Sequence, residues 1–468
     1  MTTSRTSAPA AATGADVVVV GAGMGGLVVA HELARAGRDV VVVDAAEEVG
    51  GLLRRGTLAG VDIDLGAESF ATRTDAVAAL VADAGLPLEL VAPRPQGAWL
   101  AVATDDGVRR ARLPRRTVLG IPADPDADDV VAIIGADGAA RARDERRVPT
   151  IADAEPSLYD LVAERLGVRV ADRLVDTLCR SVYSRPAAEA RLSQLHPGLW
   201  REFVSRGSLL EAADAIATGQ RAGAAVGGIA GGMWRLPTAL AEAAEAHGAK
   251  IRTGVAVRAV RSDVETVTVE TTSGSLSARS TTGSAPRSLS EERSDESKRA
   301  SAPTAAAVRL VAAAIAPPAL AAEPVGSGVI VDAALPTAAK ALTHITAKWD
   351  WARAATPDGI HLVRLSARDA AAGTLATADE VAREVSILTG VDVAAADVVD
   401  LVVQEWTDAV VGAAAPDDLP AGIHLAGAAA AGTGLASVIP HARDLAARLD
   451  RALAASLPSS SLHTHPVS

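Results

Sequence analysis

The stretch VVVVGAGMGGLVVAHELARAGRDVVVVD, residues 17–44, constrains the fold more than any other part of the chain. Val17 to Val20 and Val40 to Val43 are continuous β-branched runs of the kind buried on both faces of a parallel sheet. Between them Leu27, Ala30, Leu33 and Ala34 recur at helical spacing, and Gly37 supplies a helix stop. Two strands joined in this way form a βαβ unit, with Gly21-Ala22-Gly23-Met24-Gly25-Gly26 at the turn from strand to helix. Gly21 permits the tight turn, Gly23 lets the main chain approach a pyrophosphate, and Gly26 lets the helix pack on the sheet. Unpaired amides at the helix start favour an anion there. Asp44, ending the second strand, is placed to accept the hydroxyls of an adenosine ribose and to repel a 2′-phosphate. The expectation is a dinucleotide other than NADP.

Glu48-Val49-Gly50-Gly51 with Arg54 turns that expectation toward FAD. Adjacent glycines let the chain pass close to the diphosphate, and an arginine nearby neutralises it. A chain of 468 residues exceeds the roughly 250 to 300 at which a single core stops growing, so two or more lobes are expected. Aromatic residues make up 2% and the net charge is −12, which argues against nucleic-acid binding, since stacking platforms and basic surface are both missing. The single cysteine, Cys179, excludes an internal disulfide and any multi-cysteine metal centre, and no metal site is expected. Residues 1–14 lack the apolar core of a secretory signal and read as a disordered leader, consistent with a cytoplasmic protein. No run approaches the roughly 18 apolar residues of a membrane span, because Leu310 to Ala322 is short and broken by Pro317-Pro318. Peripheral membrane contact and oligomeric state are left open.

Farther along, residues 86–150 alternate strand-like pieces with Pro and Gly punctuation and read as a loop-rich lobe. From Ser157 to about Leu192 the apolar spacing is helical. A helix over Ala239 to His247 and a strand pair over Ile251 to Val260 and Val264 to Glu270 follow. Residues 276–303 are rich in Ser, Arg and acidic side chains, and are expected to be a disordered insert.

Taken together these motifs resemble the flavin amine oxidase superfamily, and within it the oxygen-dependent protoporphyrinogen and coproporphyrinogen oxidases. Asp64-Leu65-Gly66-Ala67-Glu68-Ser69-Phe70 looks like that family's D-x-G-x-E-S-F segment near the flavin. Gly120-Ile121-Pro122, the stretch RLGVRVADRLVDTLCRSVYS and Gly207-Ser208-Leu209 follow the same pattern. Gly231-Gly232-Met233-Trp234-Arg235-Leu236-Pro237 is similar to its G-G-M-x-x-L-P, and Val257 lies on the strand whose family counterpart pairs with adenine through its backbone. The stretch from Lys340 to Trp349, with His361 to Ser366 after it, is the part most particular to the porphyrinogen oxidases. It holds two of only four lysines in a chain with forty-one arginines. Near the end, Leu425 to Leu435 looks like the second flavin motif of strand, glycine loop and helix start.

The resemblance implies an α/β protein with a Rossmann-like FAD-binding domain, a mixed-sheet substrate domain and a helical subdomain. Residues 15–85, 222–275 and 402–456 would form the discontinuous FAD domain, and 86–221 with 304–401 the substrate domain, its helical part at 152–221. Residues 457–468 read as a disordered tail. Expected at the cofactor are Gly21, Gly23, Met24, Gly25, Gly26, Asp44, Gly50, Gly51, Arg54, Gly66, Ala67, Glu68, Ser69, Val257, Trp406, Gly427, Gly434 and Leu435. A helix start aimed at the isoalloxazine would stabilise the charge that develops on reduction. Porphyrinogen and dioxygen are the implied small-molecule partners, oxidation running in three two-electron rounds with release of hydrogen peroxide. No side chain is nominated as an obligatory acid or base, because the redox chemistry belongs to the cofactor. Arg73, Arg94 and Lys348 are the candidates for the substrate's carboxylates, while His344 and His361 are read as structural.

Three stretches depart from the family pattern. A polar insert replaces the apolar strand expected before Pro303, the segment between Trp406 and Pro420 is short, and Pro440-His441-Ala442 replaces a small-residue helix turn. They keep open a non-catalytic relative that binds FAD weakly or not at all, while another amine oxidase-like oxidase or carotenoid-type desaturase on the same scaffold is the second alternative. Covalent flavin attachment is not expected, since no cysteine lies near the carboxyl end.

Overall fold

The computed structural model describes residues 14–104, 107–145, 155–182, 185–217, 226–263, 266–283, 306–367, 375–410 and 419–455. The expected βαβ unit is present as strand Gly14–Val20, helix Met24–Arg35 and strand Val40–Val43. The two valine runs pair in parallel, Val17 with Val40 through Val20 with Val43. Their side chains alternate between two cores. Val17, Val19, Val40 and Val42 meet the helices Met24–Arg35, Arg235–Ala246 and Leu435–Ala455, while Val18, Val20, Val41 and Val43 face the strands around Val260, Val267 and Val269. A run with no polar alternation is what a strand covered on both faces requires.

Among the described residues this first sheet runs in the order Lys250–Arg252, Val40–Val43, Gly14–Val20, Gly274–Gly283, Val267–Thr271, Val257–Ser262. Ile423–Leu425 pairs alongside the end of Gly274–Gly283. The disordered insert expected at 276–303 is therefore corrected over 276–283, which form a central strand pairing in parallel from Gly14 with Ser277 to Val20 with Gly283. Small polar residues serve there because their polar groups find partners: the Thr281 hydroxyl donates to the Val18 carbonyl at 2.9 Å, and Leu276 and Ala278 fill the core. Strand propensity is a weak guide where tertiary neighbours complete the ladder on both sides. Residues 284–303 lie outside the described residues.

A second seven-stranded sheet runs Val398–Val410, Ala306–Ile315, His361–Ala367, Ala339–His344, Gly328–Val331, Ala98–Thr104, Gly107–Arg112 among the described residues. All neighbours are antiparallel except Gly328–Val331 with Ala98–Thr104. The stretch Leu310 to Ala322 is a strand of this sheet followed by a short 3-10 turn, not a helix. No described helix is long and apolar enough to cross a membrane.

Helices Leu158–Leu166 and Thr177–Val182, with a π-helical turn at Ala171–Asp176, fall in the stretch read as helical, and Pro197–Arg206 and Leu209–Ile216 follow it. Helices not read from the sequence include Ala76–Asp83, Ala378–Thr389 and one inside the loop-rich lobe. Asp128–Arg143, inside the stretch taken as loop-rich, is helical with a break at Gly135 (φ 75°), and its Val130, Ile133, Ile134, Ala139 and Ala142 join the core of the helical body. The punctuation PADPDADD ends just where that helix begins, so the loop signal was real but extended too far.

Candidate cofactor site

The glycine turn forms a cradle with two kinds of glycine in it. A Cβ at Gly26 would lie 2.1 Å from the Gly21 carbonyl oxygen, and one at Gly25 would lie 2.6 Å from the backbone of Gly427. These glycines are required by the protein's own packing, and Gly25 shows that the first and last glycine motifs touch. Gly23 differs: a Cβ there would meet nothing within 4 Å. It precedes a helix that has no side-chain cap and no acidic residue in its first turn. Gly50 donates to the Ala22 carbonyl at 2.8 Å, and a Cβ at Gly51 would come 3.4 Å from Gly23 Cα. Both glycines have positive φ, 117° and 59°, a conformation other residues adopt at a penalty. At the far end of the second strand, the Ala22 and Ala46 amides donate to the Asp44 carboxylate at 2.6 and 2.7 Å, which fixes its place beside the turn. Val257 begins a strand just past Val255, whose amide donates to the Asp44 carbonyl at 2.8 Å.

The D-x-G-x-E segment lies on this cradle and is held at every residue from 64 to 68. Met233 and Trp234 amides donate to the buried Asp64 carboxylate, both at 2.9 Å, and burial pushes that carboxyl up to about 6 against their pull. Trp406 donates its indole N–H to the Leu65 carbonyl at 3.1 Å. Gly66 sits so close to Leu52 that a Cβ would lie 1.7 Å from its carbonyl oxygen, and its own carbonyl accepts from Arg364 at 2.5 Å. The Ala67 amide donates to Leu52 at 3.1 Å. Glu68 is gripped by Lys348 (2.6 Å) at the end of helix Ile345–Lys348, and from the second sheet by Arg364 (3.3 Å) and the Thr343 hydroxyl (3.3 Å). Burial alone would push the Glu68 carboxyl up, but Arg364 and Lys348 together outweigh it and hold it at about 2. Such over-determination is how a site wall is held rigid.

A line of open residues runs along the cradle. Leu52 is 43% exposed although apolar, Gly51 and Ala67 are exposed, and so are Gly432, Thr433 and Gly434 at the start of helix Leu435–Ala455. Gly434 (φ 97°) meets nothing within 4 Å of its Cβ position. Pro440 lies inside that helix, which continues through it, so the Ala436 carbonyl lacks its usual partner amide. Ser69 and Arg54 are half-buried, and Met24 is buried under the helix start. Of the shortened segment after Trp406, residues 411–418 lie outside the described residues.

The substrate candidates are placed differently from one another. Arg73 is exposed. Arg94 is engaged by Glu323 at 2.5 Å and Asp350 at 3.2 Å, and Lys348 by Glu68. His344 and His361 form a buried pair, Nε2 to Nδ1 3.4 Å, and burial, then His361 and Arg353, push His344 down to about 3. Sequence reading missed Arg364 and Thr343. The available signal was a lone arginine among the alternating apolar residues of His361–Ala367, a strand otherwise made for the core.

An FAD diphosphate fits these residues: Gly23 leaves room for a ligand at an uncapped helix start, and the Asp44 carboxylate is fixed beside the turn by the Ala22 amide. Over residues 24–299 the chain matches the family described as flavin containing amine oxidoreductase. Coproporphyrinogen III oxidase of Mycobacterium leprae (strain TN) is 31% identical over 421 residues, 85% of this chain and 88% of that protein. The protein of the same name from Mycobacterium tuberculosis (strain ATCC 25618 / H37Rv) is 32% identical over 190 residues, 39% of this chain and 40% of its own length. That match spans less than half of the relative. A solved structure from Exiguobacterium sp. 255-15, which carries a provisional protoporphyrinogen oxidase name, superposes with a TM-score of 0.75 over 95% of this chain and 100% of its own at 19% identity, a likeness of fold. The chain therefore belongs to the flavin-containing amine oxidoreductase family, with FAD as its cofactor.

Proposed function

We propose that the protein oxidises a porphyrinogen at the expense of dioxygen, converting coproporphyrinogen III to coproporphyrin III in haem biosynthesis. The observation that carries this reading is the similarity to the M. leprae coproporphyrinogen III oxidase, which extends over 85% of the chain and so takes in both sheets. Bound FAD supplies two-electron oxidation of the macrocycle and reoxidation by dioxygen. The protein's part is placement. The Gly23 to Gly26 amides seat the diphosphate, with Arg54 beside it, Asp44 takes the ribose hydroxyls, and the Val257 backbone meets the adenine. Gly66, Ala67, Ser69 and Trp406 form the rigid wall, with Gly427, Gly434 and Leu435 closing it from the last helix.

Of the three cationic candidates, Arg73 is the one with its guanidinium in the open, and we assign it to a propionate of the substrate. Arg94 and Lys348, each already holding a carboxylate of this chain, serve instead to brace the site. The test is aerobic incubation of the FAD-loaded protein with coproporphyrinogen III and, separately, with protoporphyrinogen IX. Porphyrin fluorescence should grow with peroxide release, faster for the first substrate, and should stop under anaerobic conditions. An FAD-loaded protein that leaves both porphyrinogens at the background rate refutes the proposal.

A further inference from the structure

The charges behind the cradle wall are costly to bury. Glu68, Lys348 and Arg364 have side chains 10%, 13% and 12% exposed, so water screens them little. A buried ion pair of this kind adds less to stability than well-packed apolar residues of the same volume, and its presence points to a use beyond holding the fold. Two cations face the one Glu68 carboxylate. The fourth ionisable group is Asp64, whose oxygens are turned to the Met233 and Trp234 amides.

The cluster is joined to the cofactor cradle through close contacts. Gly51 packs on Gly23, the Leu52 carbonyl fills the space beside Gly66, and Arg364 reaches both the Gly66 carbonyl and the Glu68 carboxylate. Poorly screened unit charges are felt over roughly 10 Å in a protein interior. Reduction of a flavin adds negative charge, so cations at that range favour the reduced form and an anion opposes it.

We infer that the buried Glu68, Lys348 and Arg364 cluster sets the reduction potential of the bound flavin, with the two cations raising it and the carboxylate lowering it. The inference rests on FAD occupying the cradle and is independent of which substrate is oxidised. Single variants Lys348→Met, Arg364→Gln and Glu68→Gln all break the same cluster, so a merely structural clasp predicts that they act alike. Charge tuning predicts opposite signs. With FAD bound, the midpoint potential measured by dye-equilibrated reduction should move negative in Lys348→Met and Arg364→Gln and positive in Glu68→Gln. The neutral pair Glu68→Gln with Lys348→Met should return close to the parent, and Arg364→Lys should hold the parent value. FAD affinity and thermal unfolding, read on the same samples, report the clasp separately. Shifts of one sign in all three single variants, or no shift in any, overturn the inference, whereas failure of the parent to bind FAD overturns the cofactor assignment instead.

Discussion

Replacing Gly23 by alanine separates what the fold needs at the turn from what the ligand needs. In the protein a Cβ at residue 23 meets nothing within 4 Å, and φ −74°, ψ 173° is open to any residue. Alanine caps a helix less well than glycine, but it also restricts the unfolded chain, a gain of about 0.4 to 1 kcal/mol, so the apoprotein should change little. Bound diphosphate is affected far more. Its oxygens must approach the helix-start amides to about 2.8 Å, and a methyl group at residue 23 stands in that approach. Loss of one charge-assisted hydrogen bond, about 1.5 to 3 kcal/mol, weakens FAD binding roughly tenfold to a hundredfold. Gly25→Ala is the contrasting variant, since its Cβ would lie 2.6 Å from Gly427 and force the first and last motifs apart. Overpacking of that kind costs about 1 to 3 kcal/mol whether or not FAD is present. Flavin fluorescence titration and thermal unfolding of the apoproteins distinguish the two. If Gly23→Ala binds FAD like the parent, or unfolds like Gly25→Ala, the open cradle position is not the diphosphate site.

Other expectations follow from the same contacts. Because Glu68 is held at about 2 against an ordinary 4.5, it adds stability of about 3 kcal/mol above pH 4.5 that is lost as pH falls toward 2; urea unfolding of the apoprotein should show this acid loss, and Glu68→Gln should lack it. Asp64, raised from 3.8 to about 6, acts in the other direction, so the penalty for ionising it is relieved as pH falls from 6 to 3.8 and stability should rise over that window in the parent but not in Asp64→Asn. Thr281→Pro should prevent folding, since the Thr281 amide donates to the Gly422 carbonyl at 2.8 Å in mid-sheet, whereas Thr281→Val should cost about 1 kcal/mol for the lost hydroxyl bond; a folded Thr281→Pro protein by circular dichroism would mean the strand is dispensable. Trp406→Phe removes the donor to the Leu65 carbonyl and should lower thermal stability by about 1 kcal/mol and loosen FAD, an effect absent if the indole merely fills space.

Much of the cofactor cradle was legible because its signals are local. A β-branched run, a glycine turn and an apolar helical face are consecutive in the chain, and each forms with its neighbours in sequence. The strand at Gly274–Gly283 was illegible for the opposite reason. Its serines and threonines look solvated until the Gly14–Val20 and Val267–Thr271 strands supply partners on both sides. Helix Asp128–Arg143 was hidden by a run of loop signals that stops at its first residue.

The sequence by itself determined the βαβ unit, the turn geometry and the glycines that leave a ligand room at residue 23, since backbone conformation and helical or strand periodicity are set within a few residues. Only the tertiary structure decided that Gly25 meets Gly427 and that Lys348 and Arg364 converge on Glu68. Those partners are separated by several hundred residues, and which opposite charges share a buried site depends on how two sheets dock, a long-range packing outcome that no local pattern encodes.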